Sequence, residues 1–364
     1  MGCGELRRVA VRGRLAPPCG DLDARTLRRA VFGVGVRPLF HYIAFGLRIQ
    51  SEIAFPELLL SEPLPALPSA AVEGRPALPS VAGHGGAEVT IRYGDVPTEI
   101  EGARRRGSIV QAAPGRCLLS FDGVGRYLVQ EGREITIEPA PDCSEDDIRL
   151  FLLGSVMAAL LHQRGLLALH GSAVEIGGGA AAFLAPIKHG KSTLAAAFEG
   201  RGYRVLTDDV CAILFDASGI PLVLPGFPQI KLWEDSVRQL ERDLTSARRL
   251  TTRAAKFGVP LGAGFAARPL PLRAVYTLSI DAVPGVTITP IRGKDKLTIL
   301  IDNTYRFYFL EGASHTKRHF EQCVAVAKAV PVKRVTRPAD RFLIEELVDQ
   351  LQEDLTSEGA KDRP

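Results

Sequence analysis

The sequence predicts an α/β protein in two parts, a small β-rich N-terminal part and a larger α/β part built around one strand–loop–helix. Three observations carry this. Short runs of alternating apolar and polar residues, divided by turn residues, fill roughly 40–140. An apolar helical stretch follows from Ser144 to about Gln163. Beyond it, Ala180–Leu184 runs into a turn ending Gly190-Lys191-Ser192, then into an alanine-rich helical segment.

Length and composition set the frame. A chain of 364 residues exceeds one typical domain. The expected division is a disordered tail over 1–38, a β-rich domain over 39–141 and an α/β domain over 142–364. A hydrophobic content of 46% is that of a globular protein. A net charge of +4 on 45 basic and 41 acidic residues gives no case for nucleic acid. Six cysteines without CxxC or zinc spacing point to free thiols in a reducing cytoplasm. No secretory signal is visible, and Ile148–Leu161 is too short to span a bilayer. No membrane partner is expected.

In chain order, residues 1–36 are arginine-rich with Pro and Gly breakers, a tail or an over-extended start. Leu47, Ile49 and Ile53 alternate, and Leu58–Pro79 is a proline-studded connector. Alternation resumes at Val89, Ile91 and Tyr93. Further runs lie near Ile109 and at Cys117–Phe121, Tyr127–Gln130 and Ile135–Ile137, and the set predicts antiparallel strands. Packing, substrate docking or homo-oligomerisation are the expected jobs of this part.

Ser144 opens the helix as an N-cap, with Asp146 and Asp147 in its first turn, and Gly165 ends it. The helix after Ser192 should stop at Gly200 or Gly202, before a short strand Tyr203–Leu206 and the acidic pair Asp208-Asp209. A hairpin is expected over Ile213–Leu224. Ile230–Trp233 is a strand or helix entry, with Trp233 a core or interface residue. Arg273–Ile280, Val286–Ile291 and Val332–Val335 read as strands. Leu297–Ile301, His315–Ala329 and Phe342–Leu355 read as helices, with His319 at the surface and Glu358–Pro364 frayed.

Strand, loop, lysine, helix, strand and paired carboxylates outline a nucleoside-triphosphate site. Backbone amides at a loop and a helix N-terminus can cradle phosphates. The candidate cradle is Ala185, Pro186, Ile187, Lys188, His189, Gly190, Lys191, Ser192 and Thr193. Lys191 would reach the outer phosphates and the Ser192 hydroxyl would ligate Mg²⁺. Ala185 stands where the G-x-x-x-x-G-K-[ST] pattern has glycine, and Pro186 removes one amide donor. The alternative is an ordinary strand–turn–helix in which Gly-Lys-Ser is chance. The basic run Arg248–Lys256 is either a solvated face or a cover over the phosphates.

The stretch Leu169–Cys211 resembles the catalytic domain of HPr kinase/phosphorylase and its relatives, including the kinases found with lasso-peptide biosynthesis. His170 in Leu169-His170-Gly171 precedes Lys191 by 21 positions, and Asp209 follows it by 18. The phrase GRGYRVLTDDV is similar to that family's segment ending in the acidic pair. The resemblance carries over His170, Lys191, Ser192, Asp208 and Asp209. It implies a P-loop kinase using ATP and Mg²⁺ on a serine hydroxyl of a peptide or small protein, a lasso precursor among the candidates. Asp209 would act as base, Asp208 on the metal beside Ser192, and His170 to orient or protonate within that cluster. Glu234, Arg253, Lys256, Arg273 and Arg306 are weaker candidates for the rest of the site, which lacks an obvious E-I-R-G-x-G segment. A nucleotide-binding regulatory module with little or no transfer is the competing reading, and a small-molecule kinase is a third.

Overall fold

In the computed structural model the described residues are 38–61, 87–242, 245, 247–251, 255–312 and 315–361. The chain divides into two compact units, Met1–Pro38 and Leu39–Pro364, and the architecture here is that of the second. The tail expected over 1–38, apart from Pro38, and most of the proline-studded connector lie outside the described residues.

Alternating residues build a nine-stranded sheet from β1 (Phe40–Ala44), β2 (Leu47–Ser51), β3 (Leu59–Leu60), β4 (Val89–Tyr93), β5 (Arg104–Arg106), β6 (Val110–Ala113), β7 (Arg116–Phe121), β8 (Gly125–Gln130) and β9 (Glu134–Pro139). Their order is β3-β1-β2-β4-β9-β8-β7-β6-β5. The sheet is not wholly antiparallel, because β4 runs parallel to both β2 and β9. Strand β5 has no apolar alternation to announce it. Its three arginines are exposed at the sheet edge, where charge discourages further pairing.

Ser144 caps α1 (Glu145–Phe151), its side chain accepting from the Asp147 amide. A π-helical turn, Leu152–Val156, interrupts the expected continuous helix before α2 (Met157–Gln163). Ile148, Leu152, Leu153 and Val156 pack with Tyr127, Val129 and Ile137 of the nine-stranded sheet.

The second sheet holds β10 (Leu167–Ile176), β11 (Gly179–Leu184), β12 (Val205–Thr207), β13 (Val210–Phe215), β14 (Pro221–Val223), β18 (Leu270–Asp281), β19 (Thr287–Ile291) and β20 (Val332–Pro338). β18 pairs with both β14 and β11, so β10, β13, β14, β18 and β11 form a closed ring of pairings. A three-stranded sheet, β15 (Gln229–Trp233), β17 (Lys256–Pro260) and β16 (Arg248–Arg249), stands apart from this ring. The helices are α3 (Lys191–Gly200), α4 (Glu234–Gln239), α5 (Lys294–Asp302), α6 (Tyr308–Gly312), α7 (Thr316–Ala329) and α8 (Ile344–Lys361). Phe183 of β11 and Phe198 of α3 stack at 5.5 Å between centroids in a core that also takes Leu347 and Leu351 of α8. Each such ring buried contributes about 1.5–3 kcal/mol.

Two local expectations change. His319 is buried, not at the surface, with its Nε2 2.7 Å from the Thr304 hydroxyl; burial pushes its pKa down to about 4. The terminal helix continues to Lys361 where fraying was expected. Among the described residues Cys117, Cys143, Cys211 and Cys323 form no disulfide, and no helix is long and apolar enough to cross a membrane.

Candidate functional site

The order β11, loop, α3, β12 puts residues 185–190 between a buried strand and a helix N-terminus. Gly190 occupies the N-cap position with φ +96, in the left-handed region open to glycine. Lys188 also has positive φ, at +66. Four N–H groups at a helix start have no partner within the helix, and here they begin at the loop. Lys191 is buried and donates from Nζ to the carbonyls of Ala185 at 2.7 Å and Pro186 at 3.1 Å. Its charge is folded into the loop. Burial lowers its pKa to about 8, against the pull of Asp208 and Asp209. Ile187 is exposed, His189 turns its Nδ1 to the Ile187 carbonyl, and Thr193 shares a 2.8 Å hydrogen bond with Ser236.

The acidic pair does not sit on extended chain. Asp208 and Asp209 form a tight turn between β12 and β13, with Asp209 at φ +73 and the Val210 amide donating to the Asp208 carbonyl at 3.0 Å. Aspartate tolerates that left-handed backbone better than most residues. The turn aims the two carboxylates at different partners. Asp208 Oδ1 accepts from Ser172 at 2.6 Å and from Ser192 at 2.8 Å, and its Oδ2 accepts from the Lys231 amide at 2.8 Å. Asp209 Oδ2 accepts from Lys231 Nζ at 3.1 Å. Burial pushes the Asp209 pKa up, but the charges of Lys231 and Lys256, joined by His170 once acid protonates it, outweigh it and hold the carboxyl well below the usual carboxylate range.

His170, inside β10 where that strand's pairing passes from β12 to β13, brings Nδ1 within 3.1 Å of the Asp209 carbonyl and 3.6 Å of its Oδ1. Burial, then Lys191, lower its pKa, so the ring is neutral near pH 7. With Nδ1–H donated to the carbonyl, Nε2 is a buried acceptor with no hydrogen-bond partner among the described residues. The His170 amide donates to the Asn303 carbonyl at 2.7 Å, and the Tyr305 ring meets the imidazole edge-on at 5.2 Å. Across the cleft, the π-turn sets Gly154 where a Cβ would lie 3.4 Å from the Tyr305 hydroxyl and 3.7 Å from Asp209 Oδ2.

These groups line a cleft of about 980 Å³. It brings together His170, Lys191, Ser192 and Asp209, and Asp208 joins them from beneath through Ser192. Lys256 and Arg306 reach the cleft; Glu234 does not, and pairs with Arg238 at 2.7 Å instead. Arg273 lies beside Gly179, at the opposite end of β11 from the loop. Arg253 lies outside the described residues. Of the basic run, Arg248 pairs with Asp146, and Thr251 donates to Asp147 at 2.7 Å, tying this segment to the start of α1. Lys231, Ser172, Asn303 and Tyr305 also belong to the site. Lys231 is the lone charge in the apolar run Ile230–Trp233, which is the one trace it leaves in sequence.

The donors available to a cation are oxygens, the Ser192 hydroxyl and the Asp208 carboxylate. That set suits Mg²⁺, which keeps several waters and takes few carboxylates. Among the described residues there is no cluster of three or more His, Cys, Asp or Glu that could hold a metal ion.

No family model matches the chain, and no curated protein matches it. Among solved structures it is similar to the HPr(Ser) kinase/phosphatase from Coxiella burnetii, with 10% identity, a TM-score of 0.29, and coverage of 53% of this chain and 97% of that one. The case for function rests on this chain's own residues.

Proposed function

We propose that the chain is a phosphotransferase that moves the terminal phosphoryl group of ATP to a serine hydroxyl of a peptide or small protein, a lasso precursor peptide among the candidates. The observation that carries this is the junction of loop and acidic turn. Ser192 is bonded to Asp208, while Lys231 binds one carboxylate through its amide and the other through its ammonium.

The loop amides and the α3 N-terminus bind phosphate oxygens. Lys191 supplies a cation beside them once it leaves the Ala185 and Pro186 carbonyls. Ser192 and Asp208 would hold Mg²⁺, which supplies charge neutralisation on the phosphates. Asp209, kept ionised, accepts the hydrogen bond of the attacking hydroxyl, and its proton passes to the carboxylate as the new P–O bond forms and ADP leaves. His170 fixes the Asp209 turn through its carbonyl and offers Nε2 as a second acceptor in the cleft. Serine specificity and the peptide class are supported by the resemblance around His170, Lys191 and Asp209 and by a cleft large enough for a chain segment.

The regulatory-module reading draws on the resting contacts of Lys191 with its own loop. One experiment separates the two. The protein is incubated with ATP, Mg²⁺ and peptides encoded beside its gene, and product masses are read. A phosphate mass added to a serine, lost in Asp209→Asn, is the expected result. ATP binding without any transfer would favour the regulatory module.

A further inference from the structure

The loop at 185–190 is shared by two cavities. Lys188, His189, Lys191, Ser192 and Trp233 face both the 980 Å³ cleft and a second cavity of about 570 Å³. His170, Asp209 and Tyr305 line the larger one only. We infer that the smaller cavity takes the base and ribose of the nucleoside triphosphate donor, leaving the larger cleft to the acceptor. This rests on the phosphotransferase reading above.

The direction follows from chemistry. The end of the donor that is transferred must face Asp209, so its nucleoside end leaves the loop on the other side. The walls there suit a flat heterocycle. Leu278 and Leu347 are apolar, Gln239 and Arg337 offer polar groups to base edges or hydroxyls, and Trp233 and Phe342 are aromatic. The ammoniums of Lys188 and Lys256 already sit over the Trp233 ring, at 5.0 and 5.7 Å. Phe342 is 41% exposed and stands as the stacking surface.

Trp233 is the single tryptophan of the chain, so its fluorescence reports from the wall that the two cavities share. Full-length protein is titrated with Mg²⁺·ATP and with Mg²⁺·tripolyphosphate, in wild type, Phe342→Ala, Phe342→Tyr and Lys191→Ala, with a thermal melt of each. ATP should bind about tenfold or more tighter than tripolyphosphate, and that ratio should fall about tenfold in Phe342→Ala and recover in Phe342→Tyr. Equal affinities in wild type, or a ratio untouched by Phe342→Ala, would overturn the inference. If Lys191→Ala still weakens both ligands in that case, the phosphotransferase reading stands. Wild type binding neither ligand would overturn that reading and this inference with it.

Discussion

Lys231 joins the two members of the acidic turn: its amide donates to Asp208 and its ammonium to Asp209. The lysine side chain is 3% exposed and that of Asp209 16%, so the pair is withdrawn from water. A buried pair contributes little net stability, but removing one partner strands the other. The turn therefore depends on strand β15, forty residues of chain removed from the loop that it serves.

Lys231→Met should destabilise the fold by about 3–5 kcal/mol, and Lys231→Met with Asp209→Asn should recover part of that loss. Denaturant midpoints for the three proteins check it. The depressed Asp209 pKa contributes stability that is present above the unfolded carboxyl value and is lost as pH falls towards the folded one. Wild type should show this acid loss more steeply than Asp209→Asn.

Lys191 sets a base-side limit. Its pKa of about 8 means that it is charged at pH 7 and loses its proton above pH 8. Anionic ligands prefer the charged form, so ATP affinity should be flat from pH 6 to 7.5 and fall up to about tenfold per unit beyond pH 8. Calorimetry across pH 6–9.5 reads this directly. A flat profile to pH 9.5 would remove Lys191 from phosphate binding.

Asp209→Asn keeps the size of the side chain but cannot take a proton. Transfer should drop about 10²–10⁴-fold, with ATP·Mg²⁺ binding changed little. Asp208→Asn should instead weaken the Mg²⁺-dependent part of binding, since it alters the oxygen donor beside Ser192. Because His170 is already neutral near pH 7, the rate should show no acid limb from it between pH 7 and 8.

Two substitutions at the loop separate backbone from packing. Ala185 is not among the residues with positive φ, and its methyl is buried against α3. Ala185→Gly therefore relaxes no strained turn. It should cost about 0.5–1 kcal/mol without improving ATP affinity. Gly190→Ala meets no atom within 4 Å, yet its φ of +96 should cost about 1–2 kcal/mol and distort the helix start. Thermal melts and ATP titrations of both variants test the contrast.

Local signals made much of this architecture legible. Ser144 followed by acidic residues marks α1, and the run from Ala180 to Gly200 spells strand, loop and helix without long-range help. The partners of the acidic pair were a different matter. Lys231 reaches Asp209 only because β15 folds beside the turn, and Asn303 and Tyr305 reach His170 only through the bridge between Leu169 and Thr304. No spacing in a single sequence encodes such meetings. The parallel pairing of β4 was hidden for the same reason, since alternation reports which face is buried and not which neighbour is adjacent. His319 misleads because its burial is set by Thr304 and Phe307, which arrive from elsewhere.

The π-turn at Leu152–Val156 makes residue count itself a constraint on this segment. Each helical residue turns the chain by about 100°, so deleting one would rotate all of α2 by that amount. His162 would swing away from the Tyr305 carbonyl, which it meets at 2.8 Å, and Gly154 would leave the side of Asp209. Side chains along the turn can be exchanged for others of like volume, whereas a single insertion or deletion puts the two ends of the helix out of phase. Reading-frame-preserving indels scanned through 144–163 should be tolerated least here, even though a single deletion would leave a helix more regular than the native one.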